Sequence, residues 1–305
     1  MSTLQSAIVP QTGPFGLFLV LRVHNAQPAV VSQCRFLPTL LDQVGAQDKA
    51  SQLVCAIAFG ADYWAKIFAG GRPKGLKSFE AIHGDRLAAP ATGGDVFVHI
   101  HSRRNDLNFM LAKQFLAPIR AYVEVLDEVY GFRYLDSRDL TGFIDGTENP
   151  EGDERAKVAL IGKEEQSLAG GSYVMMQRYV HDLEKWETVA VDKQEQIIGR
   201  TKADSVELKG DKKPPTAHIS RVVIEEGGEE LEIVRHSMPY GTASGDSGLL
   251  FVAYGRDLAI FDKMLARMYG ISGDGLHDHL MEYTVPKTGA YFFVPSLETL
   301  KQLAP

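Results

Sequence analysis

Cysteine is scarce in this chain: two residues in 305, Cys34 and Cys55. There is no C-x-x-C pair, which excludes zinc ribbons and thioredoxin-type redox chemistry, and a disulfide scaffold is not credible at this length. Both cysteines lie in apolar-leaning segments and read as core fillers in a reducing compartment. No Lys or Arg precedes Arg22, so the charged opening of a secretory leader is missing. The apolar run FGLFLVL is far too short to span a bilayer. The expected location is therefore the cytoplasm, with no membrane partner. LKQLAP follows closely on the last expected element, so no docking tail is expected. A basic excess is missing too. The formal net charge is −7, whereas phosphate contacts need a basic footprint, so no nucleic-acid partner is expected. No G-x-G-x-x-G follows an expected strand, and GGRPKG (Gly70 to Gly75) lacks phosphate-loop spacing.

What is present is ordinary globular material, 45% hydrophobic and 23% charged. That is enough for a core that encloses a pocket. Short runs rich in Val, Ile, Phe and Tyr read as strands: Gly16 to Val23, Leu53 to Gly60, Asp95 to Ser102, Ser172 to Val180, Leu231 to Ser237, Leu249 to Gly255 and Ala290 to Pro295. Helical periodicity marks Val30 to Val44, Asn105 to Val129, Leu183 to Gly199 and Asp257 to Tyr269. The acidic EEGGEE (Glu225 to Glu230) reads as a solvated hairpin turn. The two halves echo each other, most closely in CAIAFGADYWAKIF and LFVAYGRDLAIFDKML. A duplicated α+β fold follows, with two ferredoxin-like α/β sandwich domains, antiparallel sheets and helices packed on them. The expected domains are residues 1–135 and 172–305, with 136–171 joining them.

The joining segment holds TGFIDGTENP. It sets one carboxylate, Asp145, beside the apolar pair Phe143 and Ile144 in a glycine-hinged loop. Burying an unpaired charge is costly, so Asp145 reads as part of a structural turn, a metal ligand, or an acid/base group beside a ligand. Nine histidines are present. His99 and His101 share a strand face, but no third metal ligand is evident from sequence. His277 and His279 flank Asp278, and on a helix they would point apart. His218 follows two prolines that fix an extended approach. It reads either as a satisfied structural histidine or as an iron ligand. Arg235, in EIVRHSMPYG, is either an edge arginine facing water or a buried one that needs an anionic partner.

Read together, GFIDG, PTAHISR and IVRHSMPYG resemble three segments of the dye-decolourising peroxidases, in the family's order and over most of the chain. The closest resemblance is to the compact bacterial B-type subclass, within the dimeric α+β barrel superfamily. It implies haem b (iron protoporphyrin IX), with His218 as the proximal ligand and Asp145 and Arg235 as the distal pair. Ile144, Gly146 and Thr147 would line the cofactor. Ser237 stands where some B-type members have asparagine, and Arg200 would pair with a haem propionate. Asp278 is the candidate for the carboxylate that orients His218, with Asp274 and Asp262 as competitors. The implied activity is a peroxidase that reduces hydrogen peroxide and oxidises dyes, phenols or other small organic donors through an oxyferryl intermediate. A homo-oligomer is expected. The alternatives are a haem-binding protein without turnover, which needs His218 but not the distal pair, and a cofactor-free hydrolase. Trp64, Trp186 and the eleven tyrosines are candidates for passing electrons from large donors.

Overall fold

The structure, a computed structural model, describes residues 4–24 and 28–304. Phe15–Val23 is the central strand of the first half. It pairs antiparallel with Val96–Ser102 on one side and Val123–Phe132 on the other, and Val54–Phe59 lies beyond Val96–Ser102. By chain order the strands therefore lie fourth, first, third, second. Side chains alternate in the way strand geometry requires. Leu17, Leu19 and Leu21 face one core, and Phe18 and Val20 face another. The helix Pro28–Gly45 covers the first face with Val30, Val31, Cys34, Leu37 and Val44, a spacing that puts one apolar stripe toward the sheet. Helix Asn105–Leu116 packs beside it. Both cysteines are free and buried.

The second half repeats this order. Met238–Gly241 pairs with Ser247–Gly255, that strand with Ser172–His181, and that with Ala290–Val294. Tyr240 then pairs with Gly131 and Phe293 with Phe59. These two seams, one residue pair each, close the eight strands into a barrel. Its interior is filled by Phe18, Ala58, Phe97, Val174, Val252, Tyr254 and Phe292, so it is a core and not a channel. Two short strands are added at the margins, Val234–Arg235 on Ser247–Gly255 and Thr284–Pro286 on Ser172–His181.

Three sequence expectations are corrected. The helix expected from Asn105 to Val129 stops at Leu116, passes through a 3-10 segment Ala117–Tyr122 and becomes the strand Val123–Phe132. Pro118 cannot donate to a continuing helix, and VEVLDEVY is rich in the β-branched and aromatic residues that favour strands. Leu183 to Gly199 is two helices, Leu183–Glu187 and Val191–Ile198. Asp182 caps the first, and Gly199 ends the second at φ +96°, a conformation open to glycine. Of Leu231 to Ser237, Val234–Arg235 alone is strand. EEGGEE is a hairpin turn, as expected, with Glu225–Glu226 against Glu229–Glu230. Among the described residues no helix is long and apolar enough to cross a membrane.

Candidate functional site

In the first half the outer sheet face is covered by two long helices. In the second half the chain between Ser172–His181 and Val234–Arg235 forms the short helices Leu183–Glu187, Val191–Ile198 and His218–Val222 instead. Between these pieces, the sheet and helix Leu258–Met268 lies a cavity with about 1380 Å³ of atom-free space, its open mouth included. Met175, Tyr179, Leu249 and Phe251 line it from the sheet, and Phe261, Met264 and Met268 from the helix. The walls are thus mostly apolar, and the polar groups gather at a few points.

One point is His218. Ala217 is extended (φ −64°, ψ 144°), and His218 opens the five-residue helix. Its Nδ1 donates to Asp278 Oδ2 at 2.6 Å, and the Asp278 side chain is completely buried. Asp278 Oδ1 also accepts from Leu280 N–H at 2.9 Å, so the carboxylate is held from two directions. Burial works against a charged His218, but the adjacent Asp278 carboxylate outweighs it and raises the pKa above the usual imidazole value. With Nδ1–H given to Asp278, the lone pair of Nε2 is left for the cavity. The two competing aspartates are engaged elsewhere, Asp274 by Arg221 and Asp262 by Tyr291 and Lys77.

The second point is the loop that carries Asp145. Gly142 (φ +87°) and Gly146 (φ +85°) adopt backbone conformations that side chains disfavour, and between them Asp145 lines the cavity. The Asp139 carboxylate anchors the loop by accepting from Thr141 N–H and O–H and pairing with His181 Nε2. Arg235 Nε lies 4.0 Å from Asp145 Oδ1. Burial raises the Asp145 pKa above the ordinary carboxylate value, Arg235 opposes this, and Asp139 adds to it. Arg235 Nε and Ser237 Oγ are buried without hydrogen-bond partners. Buried donors of this kind are costly unless something completes them. A second, polar cleft lined by Thr12, Arg133, Asn149, Glu151 and Ser237 reaches the same Asp145, Gly146 and Arg235 from the other side.

Ile144, Gly146, Thr147 and Arg200 also line the apolar cavity, whereas Ser237 lines the polar cleft alone. Arg200 pairs with Glu148 at 2.7 Å and donates through Nε to Ser205 O, while Thr147 meets the Ser205 hydroxyl. Phe143, the neighbour of Ile144 in sequence, packs instead against Trp186, Ile197 and Ile198 in a separate cluster.

Sequence reading missed Asn149. Its side-chain amide donates to Arg235 O and accepts from Arg235 N–H, both at 2.9 Å. It stands in for a neighbouring strand and ties the Asp145 loop to the Arg235 backbone. Asn149→Ala is expected to lower stability by roughly 1–3 kcal/mol through the freed backbone groups. Thermal melting checks the effect. The missed clue was an asparagine four residues past the aspartate in a loop with no helix to cap.

A third histidine does join His99 and His101: His236, from the strand edge beside Arg235. His101 Nδ1 accepts from Gly13 N–H, which puts its proton on Nε2, and His236 Nε2 meets Ile8 O. His99 Nδ1 meets the Tyr254 hydroxyl, whereas His99 Nε2 and His101 Nε2 are buried without hydrogen-bond partners. Trp64 and Trp186 are fully buried, whereas Tyr122 and Tyr130 are exposed.

The donor set fits a haem. An imidazole is fixed with one nitrogen toward an apolar slot, an arginine nitrogen and a serine hydroxyl are orphaned beside Asp145, and Arg200 stands in the wall. Residues 5–133 match the family described as "Dyp-type peroxidase, N-terminal" and residues 136–299 that described as "Dyp-type peroxidase, C-terminal". The dye-decolorizing peroxidase of Mycobacterium tuberculosis is 38% identical over 304 residues, 99% of this chain and 90% of that one. The solved dye-decolorizing protein from V. cholerae is 44% identical at a TM-score of 0.94, over 99% of this chain and 100% of that one. A variant of DypB from Rhodococcus jostii RHA1 in complex with heme gives 36% identity and a TM-score of 0.94, covering 100% of both chains.

Proposed function

The chain belongs to the Dyp-type peroxidase family and is a haem-dependent peroxidase, and from that premise we propose the part each residue plays. His218 holds the haem iron through Nε2, and Asp278 fixes its ring. Asp145 is the acid/base group, and Arg235 is its cationic partner. Arg200, Ile144, Gly146 and Thr147 hold the cofactor edge, and Ser237 faces the polar approach. The bound haem supplies the metal that takes up peroxide and the oxidising equivalents that organic donors consume.

The chain's own groups do the rest. Hydrogen peroxide is small and polar, which suits the cleft that ends at Asp145 and Arg235. Asp145 accepts the proton that one peroxide oxygen gives up and returns it to the oxygen that leaves as water. Arg235 favours the ionised carboxylate and stabilises negative charge as the O–O bond polarises. Asp278, as acceptor from Nδ1–H, makes the imidazole more electron-rich and keeps it from turning. Dyes too large for either opening would be oxidised at the surface, where exposed Tyr122 and Tyr130 are better placed than the two buried tryptophans.

The observation that carries this reading is the placing of the His218–Asp278 pair and the Asp145–Arg235 pair around one apolar cavity. The strand order of each half, fourth-first-third-second, supports the ferredoxin-like plan. The half-exposed Phe36 and Phe109, on the outer helices of the first half, support a homo-oligomer. In the deciding experiment the purified protein is loaded with haemin and its absorption spectrum is recorded before and after one equivalent of peroxide. A ferric Soret band that peroxide shifts, and that a phenolic donor restores, is expected. A protein that stays colourless after haemin supplementation ends the proposal, and one that binds haemin but ignores peroxide is a carrier without turnover.

A further inference from the structure

Outside the haem cavity, the described residues bring a second set of ligand-type side chains together: His277, His279 and Glu282. The sequence LHDHLME does not announce this, because on a helix the two histidines would diverge. In the structure Asp278 is extended (φ −75°, ψ 117°) and is the N-cap of a 3-10 turn, His279–Glu282. Across an extended residue the side chains at i and i+2 share a face, so His277 and His279 point outward together while Asp278 points inward to His218. Within a 3-10 turn the side chains at i and i+3 eclipse, so Glu282 stacks over His279. The local backbone thus gathers three donors on one face.

The geometry is close to that of a metal site. The two imidazole rings are 5.2 Å apart, and His277 Nε2 lies 3.1 Å from Glu282 Oε1. One donor atom from each residue falls within 4.8 Å of the other two. Ligand bonds of about 2.0–2.2 Å in a tetrahedral site bring donors roughly 3.4 Å apart. Movement of about an ångström in partly exposed side chains closes the set. The backbone beneath is fixed: His279 N–H donates to Thr216 O, Asp278 N–H to Met268 O and Tyr283 N–H to Leu280 O.

We propose that His277, His279 and Glu282 form a binding site for a late first-row divalent cation, Zn²⁺ or Cu²⁺, on the solvent side of the peptide that carries Asp278. Two imidazoles and one carboxylate are the donor chemistry these ions favour over Mg²⁺ or Ca²⁺. Three protein ligands leave at least one position to water, so the ion is exchangeable. None of its three donors is among the residues assigned to the haem, although His277 and His279 flank Asp278.

The test uses the haem-loaded protein titrated with ZnCl₂ by calorimetry and with CuCl₂ by electron paramagnetic resonance. One saturable equivalent is expected, with hyperfine coupling from two imidazole nitrogens on Cu²⁺. His277→Ala and His279→Ala should each remove one nitrogen and weaken binding at least roughly tenfold, the lower end of what even indirect metal contacts contribute. Glu282→Gln should weaken binding while leaving both nitrogens. His83→Ala, an exposed histidine elsewhere, should change nothing. Equal affinity in wild type and in the His277→Ala/His279→Ala double variant, or a Cu²⁺ signal without two-nitrogen coupling, overturns the proposal.

Discussion

Asp145→Asn should react with hydrogen peroxide about 10²–10⁴-fold more slowly than the parent protein, the usual contribution of a positioned acid/base group. Asparagine keeps the size of the side chain and its place in the loop, but it cannot take up a proton. Stopped-flow absorbance at a series of peroxide concentrations isolates this step from donor oxidation. The pH profile separates proton transfer from simple misplacement. Burial raises the Asp145 pKa, and only the ionised form accepts a proton. The parent rate should therefore climb as pH rises through that raised pKa and then level off. In Asp145→Asn the climb should vanish. Stability has the opposite sign. A carboxyl whose folded pKa is raised contributes stability below its unfolded pKa and loses it as pH rises through the folded one. At neutral pH the variant should thus melt no lower than the parent. A variant with an unchanged peroxide rate and an unchanged pH climb would remove Asp145 from the chemistry.

The second large effect is on the cofactor itself. His218→Ala should abolish the Soret band of the high-spin ferric protein, because the other histidine in the cavity wall, His181, has both ring nitrogens engaged, by Thr284 Oγ1 and Asp139 Oδ1. Asp278→Asn should act more mildly, with haemin affinity or activity down by about 10–100-fold, as expected for a group that orients a ligand. Haemin titration of the apoprotein, followed by absorbance, measures both. Full haemin binding with an unaltered spectrum in His218→Ala would show that the iron is held elsewhere. An intact far-UV circular dichroism spectrum would show that either loss is local, since His218 sits at the start of a five-residue helix that carries little of the core.

Much of this was legible in the chain because the signals are local. A carboxylate between glycines, a histidine after paired prolines and an arginine inside an apolar run are each readable within ten residues. The structure sets all three around one cavity. The strand Val123–Phe132 was lost because an amphipathic helix runs straight into it, and a window that straddles Pro118 still counts apolar residues at helical spacing. Asn149 was lost because its partner, Arg235, is 86 positions away. The third histidine beside His99 and His101 was lost for a similar reason. His236 arrives from the other half of the chain, across a barrel whose closure no local pattern encodes. A helical reading of LHDHL sends His277 and His279 apart, whereas Asp278 between them is extended and turns both to one face.

The two single-pair seams at Tyr240 and Phe293 have a mechanical consequence. A sheet edge joined by one residue pair resists shear weakly compared with one joined by seven, such as Phe15–Val23 against Val96–Ser102. The side chains packed between the two sheets, such as Phe97 stacked on Phe292, must therefore hold the halves together where backbone pairing is sparse.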